Sequence, residues 1–90
     1  MADKTITIPA NGDPGATHVK NGDRVCWQSS SACTVSFPNT PFRPTGGRQS
    51  IPVPTGGSSA WETVAGRPDT YPYGVASGAT ASDPDLIVDP

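Results

Sequence analysis

The chain has 90 residues, a hydrophobic fraction of 33%, 10 glycines, 11 prolines and a formal net charge of −2. That length supports one folded domain with a thin core, since two domains would each be too small to fold alone. The six basic residues are scattered and no apolar run approaches the roughly 18 residues of a membrane-spanning helix, so neither a nucleic-acid footprint nor a transmembrane helix is expected.

The apolar residues fall in short blocks separated by Gly, Pro, Asn and Asp, the pattern of many short strands. Thr5-Ile6-Thr7-Ile8 alternates and stops at Pro9, and Asn11 to Gly15 is a dense turn signal. Thr17 to Lys20 reads as a short extended segment with Val19 inward, closed by the turn dipeptide Asn21-Gly22. Arg24 to Gln28 alternates, with Val25 and Trp27 on one face and Cys26 on the other. Ser29 to Ser31 is a polar loop, and Cys33, Val35 and Phe37 then share a face.

Pro38 to Pro44 is irregular. Two Thr-Gly-Gly turns, at Thr45 and Thr55, bracket Gln49 to Pro54, where Pro52 and Pro54 remove alternate N–H donors; this places the segment at a sheet edge or as a covering loop. Trp61 to Val64 is a strand candidate. Thr70 to Val75 alternates with Tyr71, Tyr73 and Val75 together, although Pro72 conflicts with an internal strand and is expected at an edge, a bulge or solvent. Ala76 to Asp83 reads as a small-residue loop, and Leu86-Ile87-Val88 closes the chain. No helix-length amphipathic pattern occurs, because Gly or Pro interrupts nearly every window. About eight short strands predict an all-β Greek-key sandwich over residues 1–90, with Val25, Trp27, Val35, Phe37, Val64, Tyr71, Tyr73 and Ile87 buried.

Three segments, in order, resemble the cupredoxins. Val19 to Trp27 is similar to the V-x-x-G-D-x-V-x-W strand pair of that family, Ala32 to Phe37 to its P-H-T-V-x-F strand, and Thr70 to Val75 to its T-Y-x-Y-x-C strand; Asp83 to Val88 resembles the final strand. The resemblance implies a plastocyanin- or pseudoazurin-type β-sandwich. It does not imply copper. A blue-copper site needs two imidazoles and a thiolate, usually with a weak axial thioether. Here the first His position holds Cys33 and the thiolate position holds Val75; the second His falls near Gly78 and the axial Met within Ala79 to Asp83. Without metal, the space between the sheets is expected to be closed by Cys33, Val75 and the small residues Ala76 to Ala79.

The remaining chemistry is sparse. Parity sets Cys26 and Cys33 on opposite faces, which favours two free thiols over a disulfide, and their spacing matches no common zinc motif. The single histidine, His18, is outward on its strand, and the sequence places no orienting group beside it for acid–base work. Trp61 reads either as a core edge or as an exposed platform. No catalytic constellation, metal ligand set or cofactor site is expected.

These observations point first to a non-enzymatic structural or protein-interaction module, with a second copy of the chain as one partner. Trp61 and the first strand, through Thr5 and Thr7, are the candidate contact residues. A metal or redox site built around Cys33, with His18 or Cys26 as its partner, and a carbohydrate-binding module using Trp61, are the alternatives. The opening residues carry no apolar signal segment, which fits either a cytosolic protein or a mature extracellular domain with a new initiator.

Overall fold

Short alternating blocks become short strands. The computed structural model describes residues 2–9, 12–43, 47–77 and 80–90. Among them are eleven strands: β1 (Asp3–Ile8), β2 (Thr17–Lys20), β3 (Arg24–Ser29), β4 (Cys33–Phe37), β5 (Gln49–Val53), β6 (Gly57–Ser58), β7 (Glu62–Thr63), β8 (Asp69–Pro72), β9 (Gly74–Ser77), β10 (Thr80–Ser82) and β11 (Asp85–Asp89). They pair as three sheets around one core. The first holds β1, β3, β6 and β7, the second runs β10-β9-β4-β5, and the third runs β2-β11-β8. β1 pairs parallel with β3, and β2 parallel with β11, while the remaining pairs are antiparallel.

The inward residues of all three sheets meet in one cluster that includes Ile6, Ile8, Val19, Val25, Val35, Val53, Val75, Leu86 and Val88. Trp27 is its hub. Its ring meets Phe37, Phe42 and Tyr73 edge-on at 5.8, 5.8 and 5.6 Å, and Phe37 stacks on Tyr73 at 4.8 Å. Each such pair adds about 0.5–1.5 kcal/mol beyond its buried area. The indole N–H of Trp27 donates to the Tyr73 hydroxyl at 3.4 Å, so the buried polar ends of both rings are satisfied.

Two turn features hold the chain's entry to β3. Asp23 N–H donates to the Lys20 carbonyl (3.0 Å) across Asn21-Gly22, and Gly22 takes φ 91°, a conformation glycine adopts without strain. The Asp23 carboxylate, almost fully buried, accepts from the backbone N–H groups of Ala2 and Lys20, both at 2.9 Å. These two donors, Ala2 first, hold its carboxyl below the usual aspartate range.

Several expectations are corrected. Thr70 to Val75 is not one strand. Pro72 ends β8 on an exposed position, Tyr73 crosses between sheets with its N–H donating to the Pro84 carbonyl, and β9 starts at Gly74. Tyr73 and Val75 are buried, whereas Tyr71 is only partly buried and sends its hydroxyl back to the Arg67 carbonyl at 2.9 Å, a tyrosine-corner contact. In β11 the buried residues are Leu86 and Val88, and Ile87 lies half-buried on the outward parity between Asp85 and Asp89. The stretch read as a loop from Ala76 to Asp83 is largely the β9–β10 hairpin, with Ser77 opposite Thr80; Gly78 and Ala79 lie outside the described residues.

The irregular segment 38–43 hides a core residue that the pattern missed. Phe42 is fully buried and bridges to Val64. A hydrogen-bond chain fastens it: Phe42 N–H donates to Thr40 Oγ1 (3.1 Å), Thr40 Oγ1 to Gln49 Oε1 (2.6 Å), and Gln49 Nε2 to Glu62 Oε1 (2.9 Å). β5 pairs with β4 and, among the described residues, with no strand on its other side, as Pro52 and Pro54 require.

Candidate functional site

Three places carry the residues singled out by sequence: the outer face of the first sheet, the end of the second sheet around Cys33, and His18 on the third sheet.

On the first sheet the parallel register sets Asp3, Thr5 and Thr7 of β1 beside Arg24, Cys26 and Gln28 of β3. Because Val25 and Trp27 point into the core, these six residues lie on the outward face. β7 follows Trp61 on the other side of β3. The Arg24 guanidinium sits over the Trp61 ring at 5.1 Å from its centroid. The same guanidinium forms a two-pronged pair with Asp3, Nε to Oδ1 at 2.9 Å and Nη2 to Oδ2 at 2.7 Å. A row thus crosses three segments of the face: carboxylate, guanidinium, indole. Arg24 holds the Asp3 carboxyl below its usual range, and Asp3 in turn raises the already high pKa of Arg24. Trp61 is 44% exposed, so it is a platform and not a core edge. The structure therefore brings Thr5, Thr7 and Trp61 onto one face. Arg24 and Asp3, which sequence reasoning did not single out, fix the geometry of that face; the available signal was the outward parity of Arg24 beside an inward Val25.

Cys26 shares this outward face yet is buried, with Thr5 Oγ1 3.7 Å from its sulfur. Parity set its direction correctly, with Thr5 opposite it on β1. Both cysteines are free thiols, Cys26 outside the main core cluster and Cys33 within it. Burial pushes the Cys33 thiol upward in pKa, partly offset by a hydrogen bond with Ser29. Cys33 opens β4 opposite Val53 of β5, and Val75 is 1% exposed opposite Val35. Ala76 does not help to close this end as expected: it lies opposite Thr34 on the exposed face, because its parity is opposite to that of Val75.

His18 is not left unoriented. Its Nδ1 lies 3.0 Å from Asp89 Oδ1 and 3.3 Å from Oδ2, across the parallel β2–β11 pair. The side chain is 62% exposed, and His18 and Cys33 stand on different sheets.

No family model matches the sequence, and no curated protein matches it. Among solved structures the chain is similar to several amicyanins. An oxidised proline-to-alanine variant of amicyanin superposes with a TM-score of 0.69 at 17% identity, covering 94% of this chain and 80% of that one. A Cu(I) methionine-to-alanine variant gives 0.69 at 16% identity over the same shares. A Cu(I) methionine-to-glutamine variant gives 0.66 at 19% identity, covering 97% and 82%. The fold is that of the cupredoxins.

Within that cupredoxin fold the donor set does not suit copper. The thiolate position is Val75, a side chain with no donor atom, buried against the core. Cys33 supplies one sulfur whose thiolate is disfavoured by burial. Ala81 of β10 has no donor, and Gly78 lies outside the described residues. Among the described residues no group of three His, Cys, Asp or Glu side chains is placed to share an ion. A trigonal imidazole–imidazole–thiolate set cannot be assembled from one thiol and a valine.

Proposed function

We propose that this chain is a non-enzymatic protein-interaction module: a cupredoxin scaffold that binds through the outer face of its first sheet, with a second copy of itself as the first partner to test. The observation that carries this reading is the Asp3–Arg24–Trp61 row. Trp and Arg dominate the binding energy of protein interfaces. An exposed Trp ordinarily loses rotamer freedom on binding, and here Arg24 already holds one face of the ring while Asp3 holds Arg24, so less order remains to be imposed. Beside the row runs β1, whose outer edge has no strand partner among the described residues. Its N–H and C=O groups can accept an added strand. The two proline-bearing edges, β5 and β8, are poorer candidates, because Pro52 and Pro72 each lack a donor.

The test is solution mass over a range of concentrations, by sedimentation, for the wild type and Trp61→Ala. The reading expects concentration-dependent association that Trp61→Ala abolishes while the fold survives. Monomers at every concentration would remove the second copy as partner. A glycan array bound by the wild type and not by Trp61→Ala would transfer the face to a carbohydrate-binding function that uses the exposed Trp61.

A further inference from the structure

The outer face of the second sheet holds a trough that lies away from the Trp61 face. Its origin is the register. Ser36 of β4 pairs with Gly74 of β9 on one side and Ser50 of β5 on the other. Ser82 pairs with Val75, so the next step sets Asp83 opposite Gly74. Tyr73, Val75, Val35, Phe37 and Ile51 point into the core, so Gly74, Ser36 and Ser50 point out. The floor is therefore one row of the smallest side chains in the middle of a sheet. Beyond the ends of these pairings stand Pro72, Pro38 and Arg48, whose side chains are taller. The result is a concavity of about 450 Å³ lined by these residues, within the size range of small-ligand sites.

The two ends of the trough differ in charge. Asp83 closes it beside Gly74, and Arg48, just before β5, closes the diagonal corner. Both are exposed, and neither forms an ion pair with another described residue; the hydroxyls of Ser36 and Ser50 likewise have no hydrogen-bond partner among the described residues. An acceptor at one end, a guanidinium at the other and hydroxyls between them, none paired with another described residue, describe a polar ligand with a cation and an anion at its two ends. The corners are three strand spacings apart, roughly 14 Å between backbones before the side chains reach inward. An extended three-residue peptide spans about 10 Å.

We propose that this trough binds short zwitterionic peptides. The ammonium end meets Asp83 and the carboxylate end meets Arg48 through a two-pronged contact. Ser36 and Ser50 hydrogen-bond to the peptide groups between, and Pro38 and Pro72 pack against the chain's apolar side.

The probe is triglycine, titrated into the 15N-labelled protein up to about 10 mM, a range in which even a weak site fills. Saturable shifts are expected in the amides of Ser36, Ser50 and Gly74. Arg48→Gln and Asp83→Asn, both surface changes, should each weaken binding about tenfold, as loss of a charge-assisted contact does. Triglycine blocked by N-acetylation and C-amidation should not bind. Gly74→Ala places a methyl group on the floor in ordinary contact with Asp83 Oδ1 (3.9 Å) and Ser82 O (4.0 Å), so it should fold normally and weaken binding. No saturable shift at these amides overturns the assignment. So does equal binding of the blocked peptide, indifference to both charge variants, or a neutral trisaccharide shifting the same amides where triglycine does not.

Discussion

The two ends of the sequence's chemistry have opposite fates in the fold. Around Cys33 and Val75 the inward side chains are apolar apart from the buried Cys33 thiol and the Ser29 hydroxyl that hydrogen-bonds it. On the outer face of the first sheet a carboxylate, a guanidinium and an indole are held at fixed distances in the open. The sequence resemblance to the cupredoxins puts the copper-ligand positions of that family where Cys33 and Val75 lie. Here that end contributes packing, and the groups able to make directional contacts stand on a sheet face instead. Position in a fold does not carry function once the side chains there have changed.

The closed region is broken most severely at Phe42. It is fully buried among Trp27 and Phe37, so Phe42→Ala should lower unfolding free energy by about 3–4 kcal/mol, read from urea denaturation followed by tryptophan fluorescence. An effect below about 1 kcal/mol would mean that the segment 38–43 does not pack as described.

Asp23→Asn comes next, at about 1–2 kcal/mol at neutral pH, because two backbone N–H groups lose a charged acceptor. The folded carboxyl is depressed, so its stabilisation is complete above the unfolded value of roughly 3.9 and is lost as pH falls through the folded value. The gap between wild type and Asp23→Asn should therefore close in acid. A gap independent of pH would assign the loss to packing.

Cys33→Ala should cost about 1 kcal/mol, a small core truncation, and the native thiol should react slowly with a thiol reagent. Cys33→His mixed with Cu(II) should show no intense band near roughly 600 nm, since Val75 still lacks a sulfur. Rapid native labelling of Cys33, or a strongly coloured stoichiometric complex, would return a metal or redox role to this end.

The smallest expected stability effect lies on the open face. Trp61→Ala removes one exposed cation–π contact and should change stability by no more than about 1 kcal/mol, while association is lost. If stability falls by several kcal/mol and association is unchanged, the ring serves the fold and not a partner.

Much of the fold is legible in the sequence because strand alternation is a local property. Val25 and Trp27, and Cys33, Val35 and Phe37, announce their faces by parity, and Pro52 announces an edge by its missing donor. In β11 the outward parity was also readable: Asp85 and Asp89 flank Ile87 on the same face, a stronger sign than the apolar run Leu86-Ile87-Val88. The absence of a copper donor set follows from residue identity alone, because valine has no lone pair to offer. The burial of Phe42, the crossing at Tyr73 and the β9–β10 hairpin were decided by long-range pairing, to which local periodicity is blind. So was the meeting of Asp3, Arg24 and Trp61, which come from three separate segments. His18 found Asp89 in the same way, 71 residues along the chain. Sequence determines which side of its own strand a residue faces; only the order and register of the strands determine what stands beside it.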